Sequence, residues 1–324
     1  MPDKKLILQS SPHFKDRDSV PKIMYAVIVS LAPAVIASLY FFRLRAVILL
    51  LACVIACVAT EALFLWVRKR PFHSLYDGSA VITGILLALT LPPSLSLELA
   101  IIGAVVAIAL GKQIFGGLGY NIFNPALVGR AFLQTAFTAD MTTWIPSLTD
   151  KIDTATYATP LGLLKFQDAV AQGILTPLKN LFLGNTGGCL GETSALALIL
   201  GGLFLLFRRV IDWRIPLGIF LSLTAFTGIF WIADPGKYAS PLFHILAGGF
   251  LIGAFFMATD LVTSPLSPLG TWIYALGIGF TIGLIRLFGG FPEGVMYSIL
   301  FMNAFVPLLN RYARPRILGE RRKE

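Results

Sequence analysis

Thr159 and Pro160 are followed by an apolar pattern at helical spacing, and this combination can hold a ligand. The pattern predicts a helix with Thr159 as its N-cap and Pro160 in its first turn. The unpaired backbone N–H groups of such a helix start surround the threonine hydroxyl, which favours a phosphate there. An ordinary capped helix at a membrane interface is the commoner cause of the same pattern, so both interpretations stay open.

A second polar segment, residues 187–194, precedes another apolar run. Its glycines, including Gly191, allow a flat ligand to approach the backbone closely. Glu192, Thr193 and Ser194 supply acceptors and donors at the start of the following helix. A glycine-rich turn with a helix cap explains this segment equally well.

The amino-acid composition predicts which kind of secondary structure must position these residues. The 324 residues are 56% hydrophobic and only 13% charged, with a formal net charge of +9 and a mean hydropathy of +0.79. These values exclude a soluble multidomain enzyme, a disordered chain and a disulfide-stabilised secreted protein. Each helix that crosses a bilayer needs about 20 residues, so the chain is predicted to be an all-α polytopic membrane protein.

We predict ten transmembrane helices in two five-helix repeats. Six apolar runs are long enough to span alone, and four shorter or glycine-interrupted runs have no soluble core to join. The six are 22–42, 45–67, 97–115, 215–233, 271–288 and 294–312, and the four are 78–91, 125–139, 192–207 and 241–257. The chain then divides into a cytoplasmic segment 1–21, a first membrane repeat 22–139, a loop 140–190, a second membrane repeat 191–312 and a basic tail 313–324.

The distribution of positive charge predicts the orientation in the membrane. With the N-terminus inside, eighteen of the 26 Lys and Arg residues fall on the inner side and six on the outer side, while Arg130 and Arg286 lie at helix depth. The positive-inside rule therefore places both termini in the cytoplasm and the loop 140–190 outside. Topology and anionic lipid account for the basic charge, so nucleic-acid binding is not predicted.

The two halves of the chain share short sequences. Residues 72–78 reappear in part at 243–249, and residues 115–117 reappear at 288–290. Because five spans per half is an odd number, the second repeat must be inverted, an arrangement typical of transporters with broken helices. Close helix packing alone can also account for these glycines. At the level of the fold, a solute channel or transporter and a purely structural membrane subunit remain alternatives.

Other chemistry has little support in the sequence. No G-x-G-x-x-G lies between a strand and a helix, so NAD binding is assigned to a partner. Cys53 and Cys57 lie one turn apart in an apolar run and Cys189 stands alone, which favours packing over an iron–sulfur site. The three histidines are too dispersed for a metal site and are expected to be interfacial or hydrogen-bonded. Glu61 lies within a span, where pairing with a neighbouring helix and a role in an ion path are both open.

Three segments carry a resemblance to a known family. Residues 123–132 (FNPALVGRAF) look like a signature at the fifth span, and residues 191–194 (GETS) look like an entry to the sixth. Asp153, Thr156, Ala158 and Thr159 are similar to the motif at which a flavin transferase joins FMN to threonine, with Tyr157 where glycine is common. Together they resemble the D subunits of Rnf electron-transport complexes, which are homologous to the B subunits of sodium-pumping NADH:quinone oxidoreductases.

The resemblance implies that Thr159 carries covalent FMN, on the loop that charge counting places outside. It implies that the segment 191–194 lies beside the isoalloxazine ring and that a noncovalent riboflavin can bind between helices. Asn124 and Arg130 are the candidates for further flavin contacts, because an amide and a cation at membrane depth are costly without a partner.

The resemblance also implies a role in electron transport. The chain would relay electrons within a complex that couples electron flow between reduced ferredoxin and NAD to Na⁺ or H⁺ translocation. The flavin carries the redox chemistry, so Thr159 is an attachment point and no catalytic or metal-binding residue is expected in this chain. The implied partners are the A, B, C, E and G subunits of Rnf and a flavin transferase, and the implied location is the plasma membrane of a bacterium or archaeon.

Overall fold

The computed structural model describes residues 19–144, 159–167, 169–184 and 186–313, which form helices and connections without a strand. Within these ranges there are fourteen α-helices, and the all-α polytopic membrane fold is confirmed. The helices are α1 (Val20–Phe42), α2 (Leu44–Val67), α3 (Ser79–Leu89), α4 (Leu97–Ile108), α5 (Pro125–Ala136), α6 (Thr138–Met141), α7 (Pro160–Phe166), α8 (Leu178–Leu183), α9 (Ala195–Phe207), α10 (Arg214–Ala233), α11 (Pro241–Leu246), α12 (Phe250–Ile252), α13 (Pro268–Phe288) and α14 (Val295–Tyr312).

Each of the ten predicted spans contains a helix. In the described part of the chain, α1, α2, α10 and α13 are long and apolar enough to cross a bilayer, while α3 and α9 are apolar but shorter. The predicted span 97–115 is α4 continued by a π-helical turn at Ala109–Gln113. The predicted span 241–257 is α11 and α12 followed by a second π-helical turn at Gly253–Met257. The number of complete membrane crossings and the inverted relation of the repeats stay predictions.

Helix packing joins both halves into one apolar core. In the first half α2 packs against α3 and α4, and in the second half α10 packs against α13. The contacts of α1 with α9 and of α5 with α14 connect the halves. Cys53 and Cys57 are fully buried in this core, which confirms their predicted packing role. Apolar side chains on the outer faces, such as Ile55, are largely exposed, as a lipid-facing surface requires.

Both halves contain a helix interrupted at a glycine with positive φ. A 3₁₀ turn at Phe72–Asp77 ends at Gly78, whose φ is +80°, and α3 follows. In the second half α11 is separated from α12 by Gly248, whose φ is +69°. Glycine adopts this conformation at little cost. The interruptions coincide with the two segments that share sequence, which supports the predicted repeat.

A buried cation contacts each interruption. Lys112 Nζ lies 2.6 Å from Ser79 Oγ at the start of α3. Arg286 donates to the carbonyl oxygens of His244 and Ala247, where α11 ends. Arg286 therefore satisfies carbonyl oxygens left free where α11 ends, whereas Lys112 contacts a side-chain hydroxyl at the start of α3.

Candidate functional site

Thr159 caps the short helix α7. Its Oγ1 accepts a hydrogen bond from Gly162 N at 3.1 Å, and Pro160 occupies the first helical position. The predicted cap is therefore confirmed. Helix α7 ends at Phe166, whereas the apolar pattern of the sequence covers residues 161–170. Pro160 and Leu161 are buried, which fixes the position of the threonine side chain.

A cavity of about 450 Å³, here named the Thr159 cavity, brings the two predicted polar segments together. Its wall combines a hydroxyl, an aromatic ring and two carboxylates with several apolar side chains. The lining residues are Trp144, Thr159, Pro160, Leu161, Leu181, Thr186, Gly187, Glu192, Gly248, Pro292 and Glu293. The mixed lining is typical of small-molecule sites.

A buried ion network lies beside this cavity. Arg130 Nη2 donates to Glu293 Oε2 at 2.6 Å, and Arg130 Nη1 lies 3.6 Å from Glu192 Oε1. The second distance gives an ionic contact that is too long for a hydrogen bond. Glu293 Oε1 accepts from Gly249 N at 2.9 Å. The Arg130 side chain is only 7% exposed, so its two carboxylate neighbours are needed to balance its charge.

Glu192 Oε1 is left without a hydrogen-bond partner among the described residues. The Glu192 side chain is 8% exposed, and it lines the Thr159 cavity. A buried acceptor in this position is costly unless a ligand or water donates to it. The geometry therefore suits a ligand that carries an N–H group.

The neighbours of Glu192 have structural roles. Gly191 N donates to Leu89 O at 2.7 Å, and a Cβ at Gly191 would lie 2.7 Å from Leu89 Cβ. Ser194 caps α9, and Thr193 is buried behind it. The interpretation as a turn and helix cap is sufficient for these three residues, whereas Glu192 faces the cavity.

Asn124 lies at a different cavity. It caps α5 by accepting from Ala126 N at 3.0 Å, and its Nδ2 donates to Met257 O at 3.2 Å. It lines a space of about 740 Å³, here named the Asn124 cavity. The structure thus separates Asn124 from Arg130, although the sequence pattern groups them as candidates for flavin contacts.

The Asn124 cavity is largely apolar with a few polar groups. The polar lining residues are Ser79, Thr83, Lys112, Asn121, Asn124, Thr259 and Asp260. Asn121 Oδ1 has no hydrogen-bond partner in the described part of the chain. Burial raises the pKa of the Asp260 carboxyl, which lies outside the helices. This lining fits an amphipathic ligand with hydrogen-bonding edges.

Glu61 is paired across helices. Its Oε1 lies 2.6 Å from Lys112 Nζ, and both side chains are 2% exposed. Gln113 Nε2 donates to the same oxygen at 3.1 Å. The predicted pairing with a neighbouring helix is confirmed. The charge count treats Lys112 as an inner-side charge, and the structure instead buries it as the partner of Glu61.

Glu293 and Trp144 are among the residues of the Thr159 cavity that the sequence patterns do not mark. Glu293 lies two residues before α14. The charge count marks arginines at membrane depth, and the same search for carboxylates could have found Glu293. No pattern marks Trp144.

Three predicted site residues, Asp153, Thr156 and Ala158, lie outside the described residues. His244 is 1% exposed and neither ring nitrogen has a partner among the described residues, so the expectation of a hydrogen-bonded histidine is wrong there.

The fold and cavities define an all-helical membrane protein with two small-molecule cavities at opposite ends of α9, one of them bordered by a capping threonine. Glu192 precedes α9 in the Thr159 cavity, while Leu205 and Val210, at the end of α9 and just beyond it, line the Asn124 cavity. Helix α9 has 13 residues, which corresponds to a length of about 20 Å.

Comparison with known proteins identifies the family. The family model described as "NQR2, RnfD, RnfE family" matches residues 7–319, and the chain belongs to this family. The chain is 43% identical over 322 residues to the D subunit of the proton-translocating ferredoxin:NAD(+) oxidoreductase complex of Clostridium ljungdahlii, covering 97% of this chain and 96% of that protein. It is 45% identical over 323 residues to the D subunit of the Na(+)-translocating ferredoxin:NAD(+) oxidoreductase complex of Acetobacterium woodii, covering 98% and 97%. The D subunit of the ion-translocating oxidoreductase complex of Stutzerimonas stutzeri is 41% identical over 329 residues, covering 94% and 93%.

Proposed function

We propose that this chain is the D subunit of an ion-translocating ferredoxin:NAD⁺ oxidoreductase complex and that it carries FMN covalently on Thr159. Identity of 43% and 45% along nearly the whole length to two such subunits supports the first part. The observation that carries the second part is the position of Thr159, which ends the transferase-like motif and lines the same cavity as Trp144 and Glu192.

The wall of the Thr159 cavity fits a flavin. Trp144 is half-buried and offers an aromatic face against which a ring can stack. Glu192 Oε1, which accepts no hydrogen bond among the described residues, offers an acceptor for a ring N–H. Arg130 contacts Glu192 and Glu293, both of which line the Thr159 cavity. We therefore assign Arg130 to the FMN site and not to the site of the noncovalent riboflavin.

When bound, the flavin supplies the electron transfer, accepting and releasing one or two electrons. The residues of this cavity would hold and orient the ring, and Pro160, Leu161 and Pro292 would supply apolar surface against it. The two carboxylates and Arg130 place fixed charges beside the site and so influence its reduction potential. Thr159 takes no part in turnover beyond attachment.

The noncovalent riboflavin is assigned to the Asn124 cavity. Its largely apolar wall with a few polar groups suits a tricyclic ring. Asn121 Oδ1 supplies a free acceptor, and Lys112 and Asp260 supply polar contacts for a ribityl chain. With one flavin at each end of α9, the chain would relay electrons between the two faces of the membrane.

The orientation follows from the basic connections. Residues 68–70 and 208–214 hold six basic side chains, and Val210 and Ile211 line the Asn124 cavity. This end is assigned to the cytoplasm with both termini, and the Thr159 cavity to the outer face. The A, B, C, E and G subunits complete the complex, which couples electron flow to Na⁺ or H⁺ transport. A flavin transferase attaches the FMN.

In-gel flavin fluorescence of the denatured chain tests the attachment, with the protein produced in cells that contain the flavin transferase. The informative variant is Thr159→Asn, because asparagine caps a helix at least as well as threonine but lacks the hydroxyl. The parent band should fluoresce and the variant band should be dark. Thr193→Ala, which removes a hydroxyl elsewhere in the predicted site, should stay fluorescent.

If the parent band and the Thr159→Asn band are both dark in such cells, covalent attachment is rejected. A fluorescent Thr159→Asn band combined with a dark Thr193→Ala band would move the attachment to Thr193. A fluorescent parent with a dark Thr159→Asn band and a fluorescent Thr193→Ala band is the result that the proposal requires.

A further inference from the structure

A third cavity, of about 580 Å³, lies on the same face as Thr159 and is lined by four basic side chains. They are Lys165 of α7, Lys237 between α10 and α11, His244 of α11 and Arg286 of α13. Leu161 and Pro292 separate it from the Thr159 cavity, since they line both. It is named the basic cavity below.

The cations of the basic cavity are held in place by direct contacts with uncharged groups. Lys165 Nζ donates to the carbonyl oxygens of Ile285 and Arg286 at 3.1 and 2.8 Å. Lys237 Nζ lies 5.5 Å from the centre of the Tyr238 ring. Among the described residues, no carboxylate lies within 4.0 Å of Lys165, Lys237 or Arg286.

The cavity also contains buried nitrogen atoms without a partner. His244 is 1% exposed and Arg286 is 4% exposed. Both ring nitrogens of His244 and Nε of Arg286 lack a hydrogen-bond partner in the described part of the chain. Buried polar atoms are rarely left in this state, so their presence in the wall of a cationic cavity points to a ligand with several acceptor oxygens.

The position of the cavity indicates where such a ligand comes from. Lys237 follows the end of α10 and Arg286 lies in the last turn of α13, so the cavity is at the membrane interface. Ile232 and Phe288, near the same helix ends, are 75% and 58% exposed and provide an apolar surface next to the cavity. A molecule with a phosphate headgroup and acyl chains would satisfy both features.

We propose that the basic cavity binds the phosphate of an anionic phospholipid headgroup, with Lys165, Lys237, His244 and Arg286 as the phosphate-binding residues. This site is separate from the flavin sites and does not depend on the proposed attachment at Thr159. Free phosphate has the same acceptor chemistry, so the experiment must distinguish the two sources.

Native mass spectrometry of the detergent-purified full-length chain tests this proposal, with dioleoylphosphatidylglycerol and dioleoylphosphatidylcholine as probes. The parent should retain one phosphatidylglycerol in preference to phosphatidylcholine. Lys237→Gln changes an exposed side chain and should weaken that retention about fivefold. Lys179→Gln is the matched control, because Lys179 is exposed on the same face, carries the same charge and lies outside the cavity.

His244→Phe is a second variant, which keeps the ring but removes both unpartnered nitrogens. It should weaken phosphatidylglycerol retention severalfold while the thermal unfolding temperature without lipid stays at or above that of the parent, since a buried unsatisfied group is lost. A His244→Phe chain that unfolds earlier and retains lipid like the parent would overturn the assignment of His244.

The remaining outcomes decide whether the bound phosphate belongs to a lipid or is free in solution, and whether the proposal stands. In one outcome, inorganic phosphate raises the unfolding temperature of the parent but not of Lys237→Gln, while phosphatidylglycerol is not retained in preference to phosphatidylcholine. That result would support an anion site and exclude the lipid as its ligand. If Lys237→Gln and Lys179→Gln retain phosphatidylglycerol equally, or if the parent does not prefer phosphatidylglycerol to phosphatidylcholine and phosphate has no effect, the proposal is overturned.

Discussion

The side chains of Arg130 and Glu293 lie 2.6 Å apart and connect α5, in the first half of the chain, with the connection that precedes α14 in the second half. Glu192 approaches the same guanidinium at 3.6 Å. Among the described residues, Arg130 is the cation within 4.0 Å of either carboxylate. One buried arginine therefore joins the two halves and compensates both acidic groups of the Thr159 cavity.

Replacing Arg130 with methionine should destabilise the protein strongly. Among the described residues, the change leaves Glu192 and Glu293 without a cation within 4.0 Å, and breaking a buried pair in this way costs about 3–5 kcal/mol. Thermal unfolding of the detergent-solubilised chain should show a clear fall in midpoint. Arg208→Met, at an exposed arginine, is the control and should change little.

Neutralising the two partners should restore much of this stability. The variant Arg130→Met/Glu192→Gln/Glu293→Gln has no uncompensated charge in the network, and buried ion groups can often be replaced with little loss. A triple variant that unfolds as early as Arg130→Met would show that packing around the arginine, rather than its charge, dominates.

The buried pair Glu61 and Lys112 should show strong coupling in a double-mutant cycle. Lys112→Met leaves the buried Glu61 carboxylate without its counter-ion, and Glu61→Gln leaves the buried Lys112 ammonium without its counter-ion. The double variant leaves no buried charge in the pair, so the coupling energy should exceed about 1 kcal/mol. The pair Asp212 and Arg214 provides the control, because its side chains are 38% and 33% exposed and its coupling should stay below about 1 kcal/mol. Equal coupling in the two pairs would contradict the buried arrangement.

Gly191→Ala should destabilise the contact between α3 and the entry to α9. The added Cβ would lie 2.7 Å from Leu89 Cβ and 3.0 Å from Leu89 O, and overpacking of this kind costs about 1–3 kcal/mol. Gly290→Ala is a matched control, since a Cβ there meets no atom within 4 Å. Unfolding midpoints of the two variants give the comparison, and a Gly191→Ala midpoint equal to that of Gly290→Ala would show that the approach to Leu89 is looser than described.

Thiol labelling tests the proposed orientation. The three cysteines are buried, and burial raises the pKa of the Cys189 thiol well above its usual range, so the parent should react poorly with maleimides. In intact spheroplasts, a membrane-impermeant maleimide should label Lys179→Cys and leave Arg208→Cys unlabelled until the membrane is opened. The opposite pattern would place the Thr159 cavity on the cytoplasmic side.

Local sequence patterns predict the elements of this fold well. The cap at Thr159 depends on one hydroxyl, one proline and the residues that directly follow, so it can be predicted from a few residues. The apolar runs are also visible locally, because each helix must present apolar surface to lipid or to the core. The glycine interruptions fall in the segments that the two halves share, although the alignment pairs Gly78 with Gly249 and the positive φ is at Gly248.

The tertiary relationships of the site could not be predicted in the same way. Glu61 pairs with a lysine 51 residues away, and Arg130 with a glutamate 163 residues away. Such partners depend on how helices pack, which no local pattern encodes. For the same reason Asn124 and Arg130, only six residues apart at one helix, contribute to different sites.

Mass spectrometry of the peptide from Ile152 to Lys165 tests the central claim most directly. Trypsin releases this peptide by cleaving after Lys151 and Lys165, and fragmentation distinguishes Thr154, Thr156 and Thr159. In protein purified from its natural host, the peptide should carry the mass of FMN less one water, localised to Thr159. An unmodified peptide from that preparation, or a modification localised to another threonine, would contradict the account.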